Sequence, residues 1–102
     1  MNIVYVCSPN CDKRAQRYCR FAYSNKKVPF SPHLHNPQFL DEDDVELGVR
    51  VLNRCDEMWC FGDKLTDAME KELRFAINNS IPVRYFNDKC EEMIERESSF
   101  KN

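Results

Sequence analysis

An apolar strand, a polar turn, an amphipathic helix and a second strand follow one another between residues 54 and 86, and this unit constrains the fold most. Residues 58–61 form a compact apolar run that ends at Gly62, which is typical of a core strand breaking into a loop. Residues 66–79 then carry apolar side chains at helical spacing, and residues 81–86 return to a strand-like composition. The pattern predicts a β-α-β unit.

The rest of the chain extends this alternation of strands and helices. Strands are predicted at residues 3–7, 28–30, 56–61 and 83–86, and helices at 12–25, 41–54, 66–79 and from Lys89 onward, with Asp88 as the last cap. The alternation predicts an α/β protein: a flavodoxin-like (Rossmann-like) three-layer sandwich around a parallel sheet of four to five strands in the order 2-1-3-4. Because 102 residues allow only one domain, we expect a single core over about residues 1–97.

Charge and hydropathy limit the partners that the chain is expected to have. The 15 basic and 17 acidic residues are interspersed and give a net charge of -2, so no basic stripe is predicted to hold a nucleic acid polymer. The first residues lack the basic and apolar regions of a signal peptide, and no apolar run is long enough for a membrane span. We therefore expect a cytoplasmic protein without a membrane partner.

The cysteines, histidines and glycines predict neither a metal nor a cofactor. The six cysteines are scattered without a Cys-x-x-Cys pair, which favours free small apolar side chains over disulfides. The spacings among Cys7, Cys11, His33 and His35 match no common ligand pattern. With Gly48 and Gly62 as its two glycines, the chain contains neither a dinucleotide fingerprint nor a phosphate-binding P-loop.

The predicted strand order also places a crevice between the first and third strands. The loops after Cys7 and Phe61 are expected to meet there, at the carboxyl edge of the sheet. The residues expected to face one another are Tyr5, Ser8, Pro9 and Asn10 on one side and Asp63, Thr66, Asp67 and Glu72 on the other.

Glu72 lies beside the apolar stripe of the third predicted helix. That stripe consists of Leu65, Met69, Leu73, Ala76 and Ile77. A carboxylate at the edge of a buried face is partly desolvated, which is unfavourable unless a ligand or partner compensates. The alternative is a solvated, helix-forming glutamate, the commonest role of this residue in a helix.

The irregular stretch at residues 31–40 carries both histidines. Loops of this length in a small domain are usually functional or loosely held. For His33, a hydrogen bond to a ligand and the capping of a Pro-rich turn are equally open, whereas capping is favoured for His35.

Several short motifs occur together in a fixed order along the chain. They are Tyr5-Val6-Cys7-Ser8-Pro9, Pro32-His33-Leu34, the run from Arg54 to Asp63, Met69-x-x-Glu72-Leu73-x-x-Ala76 and Ile81-Pro82-Val83. Through them the chain resembles the nucleoside 2-deoxyribosyltransferase-like superfamily, and especially its small bacterial and phage branch, over roughly residues 1–86.

The resemblance implies roles for particular residues. Glu72 would be the nucleophile that attacks the anomeric carbon of the sugar and releases the base, Tyr5 would orient it, and Asp63 or Asp67 would act on the base. The substrate-binding residues implied are Ser8, Pro9, Asn10, His33, Thr66, Asp67, Ala68 and Met69. The chain departs from the superfamily pattern at Asn10, Thr66 and Ala68, where an aromatic residue, an aspartate and a glycine are usual.

Two functions from different classes follow, and a third possibility remains beside them. The first is an N-glycosidase or 2-deoxyribosyltransferase acting on a nucleoside or a nucleoside 5′-monophosphate. The second is a non-catalytic protein that binds a nucleotide or a nucleotide-derived signal, and the third is a structural oligomer that retains only the fold. Relatives complete each site with residues of a neighbouring subunit, so the resemblance also implies a homodimer or a higher homo-oligomer.

Overall fold

The computed structural model describes residues 2–9, 12–31 and 45–94. Within these ranges the chain is an α/β protein with five strands and three helices. The strands are β1 (Ile3–Cys7), β2 (Val28–Phe30), β3 (Glu57–Phe61), β4 (Val83–Phe86) and β5 (Glu92–Met93). The helices are α1 (Asp12–Ser24), α2 (Val45–Leu52) and α3 (Asp67–Asn78). Each of these helices is too short or too polar to cross a membrane.

The five strands form one mixed, mostly parallel sheet in the order β2-β1-β3-β4-β5. The pairs formed by β1 to β4 are parallel, and β5 runs antiparallel to β4. Cys7 lies opposite Cys60, and Phe61 lies opposite Phe86. The carboxyl ends of β1, β3 and β4 therefore share one edge of the sheet.

One face of the sheet packs against α1. Successive strand residues point to opposite faces, so Val4 and Val6 of β1 lie on this side. An aromatic cluster surrounds them, in which the rings of Tyr18 and Phe61 stack with their centroids 4.3 Å apart. The buried residues of this cluster are Val4, Val6, Tyr18, Ala22, Trp59, Phe61 and Phe86.

The opposite face packs against α2 and α3. Tyr5 and Cys7 of β1 point to this side, where they meet the apolar face of α3. The buried residues of the cluster are Tyr5, Cys7, Leu52, Met58, Cys60, Met69, Leu73 and Ala76. The apolar stripe predicted for α3 is confirmed at its buried residues but wrong at Ile77, which is 54% exposed.

The segment after β4 differs from the helix predicted there. The side-chain oxygen of Asn87 accepts hydrogen bonds from the backbone N–H groups of Lys89 and Glu91, and Cys90 adopts a left-handed backbone with φ 64°. These features reverse the chain and lead into β5, so the predicted helix from Lys89 is wrong. Asp88 is not a helix cap and instead accepts a hydrogen bond from the hydroxyl of Tyr18.

Candidate functional site

Strand β1 and helix α3 bring Tyr5, Cys7 and Glu72 together. Tyr5 and Cys7 are two residues apart in a strand, so both side chains emerge on the face that α3 covers. The Tyr5 hydroxyl donates a hydrogen bond to Oε2 of Glu72 at 2.5 Å. The Cys7 thiol donates a weaker one to Oε1 of the same carboxylate, with a sulfur-to-oxygen distance of 3.5 Å. Both oxygens of Glu72 are thus held by uncharged donors.

The surroundings of Glu72 disfavour its charged form. The residue is partly buried, and no Lys or Arg in the described part of the chain forms an ion pair with it. Burial raises the pKa of Glu72, and the hydrogen bonds from Tyr5 and Cys7 offset this only in part. The carboxyl group is therefore closer to protonation at neutral pH than an exposed glutamate.

The two donors remain protonated at neutral pH. Burial, followed by the nearby Glu72 carboxylate, raises the pKa of Tyr5. Burial, followed by a hydrogen bond with Cys60, raises the pKa of the Cys7 thiol well above its ordinary value. Neither side chain is a nucleophilic anion here, so Glu72 is the group in this cluster that can carry a negative charge.

The loops that follow β1 and β3 meet at the carboxyl edge of the sheet, as the predicted strand order requires. A Cβ atom at Gly62 would lie 3.3 Å from two ring atoms of Pro9, and Gly62 has φ 104°. Glycine is needed there both for the close approach and for the left-handed backbone. Beside it, Ser8 is 4% exposed and its Oγ forms no hydrogen bond within the residues described.

The amino end of α3 contains most of the other residues that sequence reasoning assigned to the site. Thr66 is the N-cap, and its Oγ1 accepts a hydrogen bond from the backbone N–H of Met69 at 3.2 Å. Met69 is 1% exposed and packs in the core. Thr66 thus has a structural role that the sequence interpretation did not assign to it, whereas the burial of Met69 agrees with the apolar stripe predicted for α3.

Of the remaining predicted residues, none that the structure describes forms a side-chain hydrogen bond with Glu72. Asp63 and Asp67 are exposed, and neither side chain forms a hydrogen bond or ion pair with other described residues. Ala68 is partly buried in the first turn of α3. Asn10 and His33 lie outside the described residues. No group of three or more His, Cys, Asp or Glu side chains among residues 2–9, 12–31 and 45–94 could hold a metal ion.

Cys7 is the residue at this site that sequence reasoning missed. It was interpreted as one of several small apolar cysteines, and its thiol instead contacts the carboxylate that Tyr5 holds. The strand periodicity contained the necessary signal, because a residue two positions after Tyr5 must share its face.

The fold and this cluster define a class of α/β protein in which a partly buried carboxyl group lies over the first strand of a mostly parallel sheet. Residues 2–86 match the family described as Domain of unknown function (DUF7768). The match covers most of the chain, so the protein belongs to this family. The matched region ends at the last residue of β4. No curated protein and no solved structure matches the chain.

Proposed function

We propose that the protein cleaves the N-glycosidic bond of a nucleoside or a nucleoside 5′-monophosphate, with Glu72 as the nucleophile. It would act as an N-glycosidase or a 2-deoxyribosyltransferase of the nucleoside 2-deoxyribosyltransferase-like kind, on a flavodoxin-like, three-layer version of the fold. The observation that carries the proposal is the Glu72 carboxyl group, which is partly buried and held by the hydroxyl of Tyr5 and the thiol of Cys7.

A comparison within α3 supports a special role for Glu72. Glu70, two residues earlier, forms a surface ion pair with Arg74 at 2.6 Å, which is the usual arrangement of charges four residues apart on a helix. Glu72 lies on the buried side of the same helix and has no cationic partner among the described residues. Desolvating a carboxylate in this way is costly, which argues against the solvated helix former as an explanation.

The proposed reaction has two steps at the anomeric carbon. An oxygen of Glu72 attacks this carbon, the bond to the base nitrogen breaks, and its electron pair leaves with the base, which takes up a proton. Water, or a second base in the transferase, then attacks the same carbon, and the ester bond to Glu72 breaks to restore the carboxylate. Asp63 or Asp67 is proposed to act on the leaving base, either as the acid that supplies this proton or as a hydrogen-bond partner.

The sugar end of the substrate is proposed to bind where the loops after β1 and β3 meet. Ser8 supports this placement, because its buried Oγ has a free donor and a free acceptor within the described residues. Pro9, Asn10, His33, Ala68 and the amino end of α3 are the other proposed contacts. We also propose a cytoplasmic homodimer or larger homo-oligomer whose neighbouring subunit completes the site, with a small-molecule ligand and without a metal, cofactor, nucleic acid polymer or membrane.

The raised pKa of Glu72 favours a second candidate, a binding protein that does not cleave its ligand. Burial raises the pKa of Glu72, and the protonated carboxyl group is a weaker nucleophile that both donates and accepts hydrogen bonds. The same crevice would then hold a nucleotide or a nucleotide-derived signal.

Chromatographic detection of free base tests the proposal. The purified protein is incubated with a panel of nucleosides and 5′-monophosphates beside Glu72→Ala, and Glu70→Ala serves as a matched control on the same helix. We expect base release by the wild type and the control, and a loss on the order of a thousandfold or more in Glu72→Ala. If no protein releases base but a nucleotide raises the melting temperature, the binding function replaces the enzyme. Without base release or a thermal shift, both candidates are refuted.

A further inference from the structure

The two oxygens of the Glu72 carboxylate are held by donors of different strength. Oε2 accepts a 2.5 Å bond from the phenolic hydroxyl of Tyr5, whereas the thiol sulfur of Cys7 lies 3.5 Å from Oε1. A short O–H hydrogen bond to a carboxylate is among the strongest in proteins, and a thiol is a weak donor. Oε1 therefore keeps more of its electron density than Oε2.

The Cys7 thiol has two hydrogen-bond partners, the Glu72 carboxylate and the Cys60 thiol. Cys7 and Cys60 lie opposite each other on β1 and β3, and their thiols are hydrogen bonded. Cys7 has a single thiol proton, and an ionised carboxylate can only accept. The Cys7 proton therefore points to Oε1 of Glu72.

We propose that Cys7 is a positioning residue that fixes Oε1 of Glu72 as the attacking oxygen. The inference rests on the proposed function, in which Glu72 is the nucleophile. A weak donor fixes the torsion of the carboxyl group while leaving Oε1 electron-rich, and the stronger donor Tyr5 occupies the oxygen that does not react. A hydroxyl at the position of Cys7 would hold Oε1 more firmly and make it less reactive.

The competing explanation is that Cys7 only fills space in the core, where it is 1% exposed. Two substitutions separate the explanations: Cys7→Ser supplies a stronger donor of similar size, and Cys7→Ala supplies none. The readouts are the pH titration of the Glu72 carboxyl carbon by NMR and the pH profile of base release. Among the described residues, the titratable groups that face Glu72 are Tyr5 and Cys7 of β1, with Cys60 of β3 behind Cys7 and Cys55 near Tyr5.

We expect Cys7→Ser to lower the titration midpoint of Glu72 by on the order of one pH unit and Cys7→Ala to raise it. The acidic limb of the pH profile should move in the same directions, and kcat should fall roughly tenfold in both variants with little change in KM. The same pair of substitutions at Cys19, which packs on the α1 side of the sheet, should leave the titration of Glu72 unchanged.

A Glu72 titration that is identical in wild type, Cys7→Ser and Cys7→Ala, while base release persists, overturns this inference alone. A protein that releases no base from any substrate overturns the proposed function, whatever the titrations show. If Cys7→Ser does not fold, Cys60→Ala keeps the Cys7 thiol and removes its hydrogen-bond partner. That variant is expected to shift the Glu72 midpoint by less than Cys7→Ala does, and an equal or larger shift contradicts the role proposed for the Cys7 thiol.

Discussion

At Glu72, burial and two hydrogen bonds act on one carboxyl group in opposite directions. Burial is the larger effect, so the pKa of Glu72 in the folded protein lies above its value in the unfolded chain. The penalty on the charged form is absent below the unfolded pKa and is fully present above the folded pKa. The contribution of Glu72 to stability therefore decreases as the pH rises through its folded pKa.

We predict that Glu72→Gln is more stable than the wild type at pH 8, by about 1 kcal/mol. Glutamine has nearly the same shape and can accept the hydrogen bond from Tyr5, but it carries no charge to desolvate. Thermal unfolding from pH 4 to pH 8 checks this, and the gain should shrink towards pH 4, where both side chains are neutral. A variant that is less stable than the wild type at pH 8 contradicts the conclusion that burial outweighs the two hydrogen bonds at Glu72.

Tyr5→Phe keeps the buried ring and removes only the hydroxyl donor to Oε2. We predict that the pKa of Glu72 rises further, because one of the two hydrogen bonds that oppose the effect of burial is lost. Base release at pH 7 should fall roughly tenfold, and the acidic limb of the pH profile should move to higher pH. An unchanged acidic limb, measured as kcat/KM against pH, would mean that Tyr5 does not act on Glu72.

At the scale of elements, the N-cap of α3 stabilises the start of the helix that carries Glu72. The Oγ1 of Thr66 satisfies a backbone N–H that would otherwise have no partner in the helix. We predict that Thr66→Ala costs about 1 kcal/mol in the free energy of unfolding and that Thr66→Ser costs much less. Urea denaturation of the three proteins checks this. Equal losses in both variants would show that the threonine methyl group, not the hydroxyl, stabilises the end of the helix.

The elements also show how far sequence reasoning extends in this chain. Strands β1, β2 and β4 occupy the predicted residues because short apolar runs between turn residues leave little choice of boundary. Strand β5 was missed because Asn87 and the left-handed Cys90 reverse the chain through local hydrogen bonds. Such bonds leave no periodic signal in the sequence.

Within the site, the sequence predicts that the loops after β1 and β3 meet. Strand order alone requires it, and the contact between Pro9 and Gly62 shows it. Strand periodicity places Tyr5 and Cys7 on one face of β1, but the distances of the Glu72 hydrogen bonds could not be predicted from spacing. They depend on how far α3 lies over β1, a distance that packing sets and that no residue pattern encodes.

At the scale of the whole molecule, Glu57 links three separate segments at the amino edge of the sheet. Its carboxylate pairs with Lys27 at 3.1 Å, accepts a hydrogen bond from the amide of Asn2 and accepts another from the indole of Trp59. Burial acts to raise the pKa of Glu57, but these hydrogen bonds outweigh it and lower the pKa. Glu57 thus contributes stability above its unfolded pKa, and this contribution is lost as the pH falls through its folded pKa.

We predict that Glu57→Gln lowers the free energy of unfolding at pH 7 by about 1–2 kcal/mol. The difference from the wild type should shrink as the pH falls through the lowered folded pKa of Glu57, because the wild-type carboxylate is then protonated as well. Denaturant unfolding at several pH values checks this, with Glu70→Gln as a control on an exposed ion pair. A loss that stays constant from pH 7 to pH 3 would show that the charge of Glu57 is not responsible for it.

The central claim is that Glu72 forms a covalent bond to the sugar, and peptide mass mapping after acid quenching tests it most directly. The protein is mixed with the nucleoside or 5′-monophosphate that releases base fastest, quenched within the first turnover, digested and analysed. We predict a glycosyl adduct on the peptide that contains Glu72, and neither adduct nor base release in Glu72→Gln. Base release by Glu72→Gln at the wild-type rate, with no adduct on the wild-type peptide, would contradict the account.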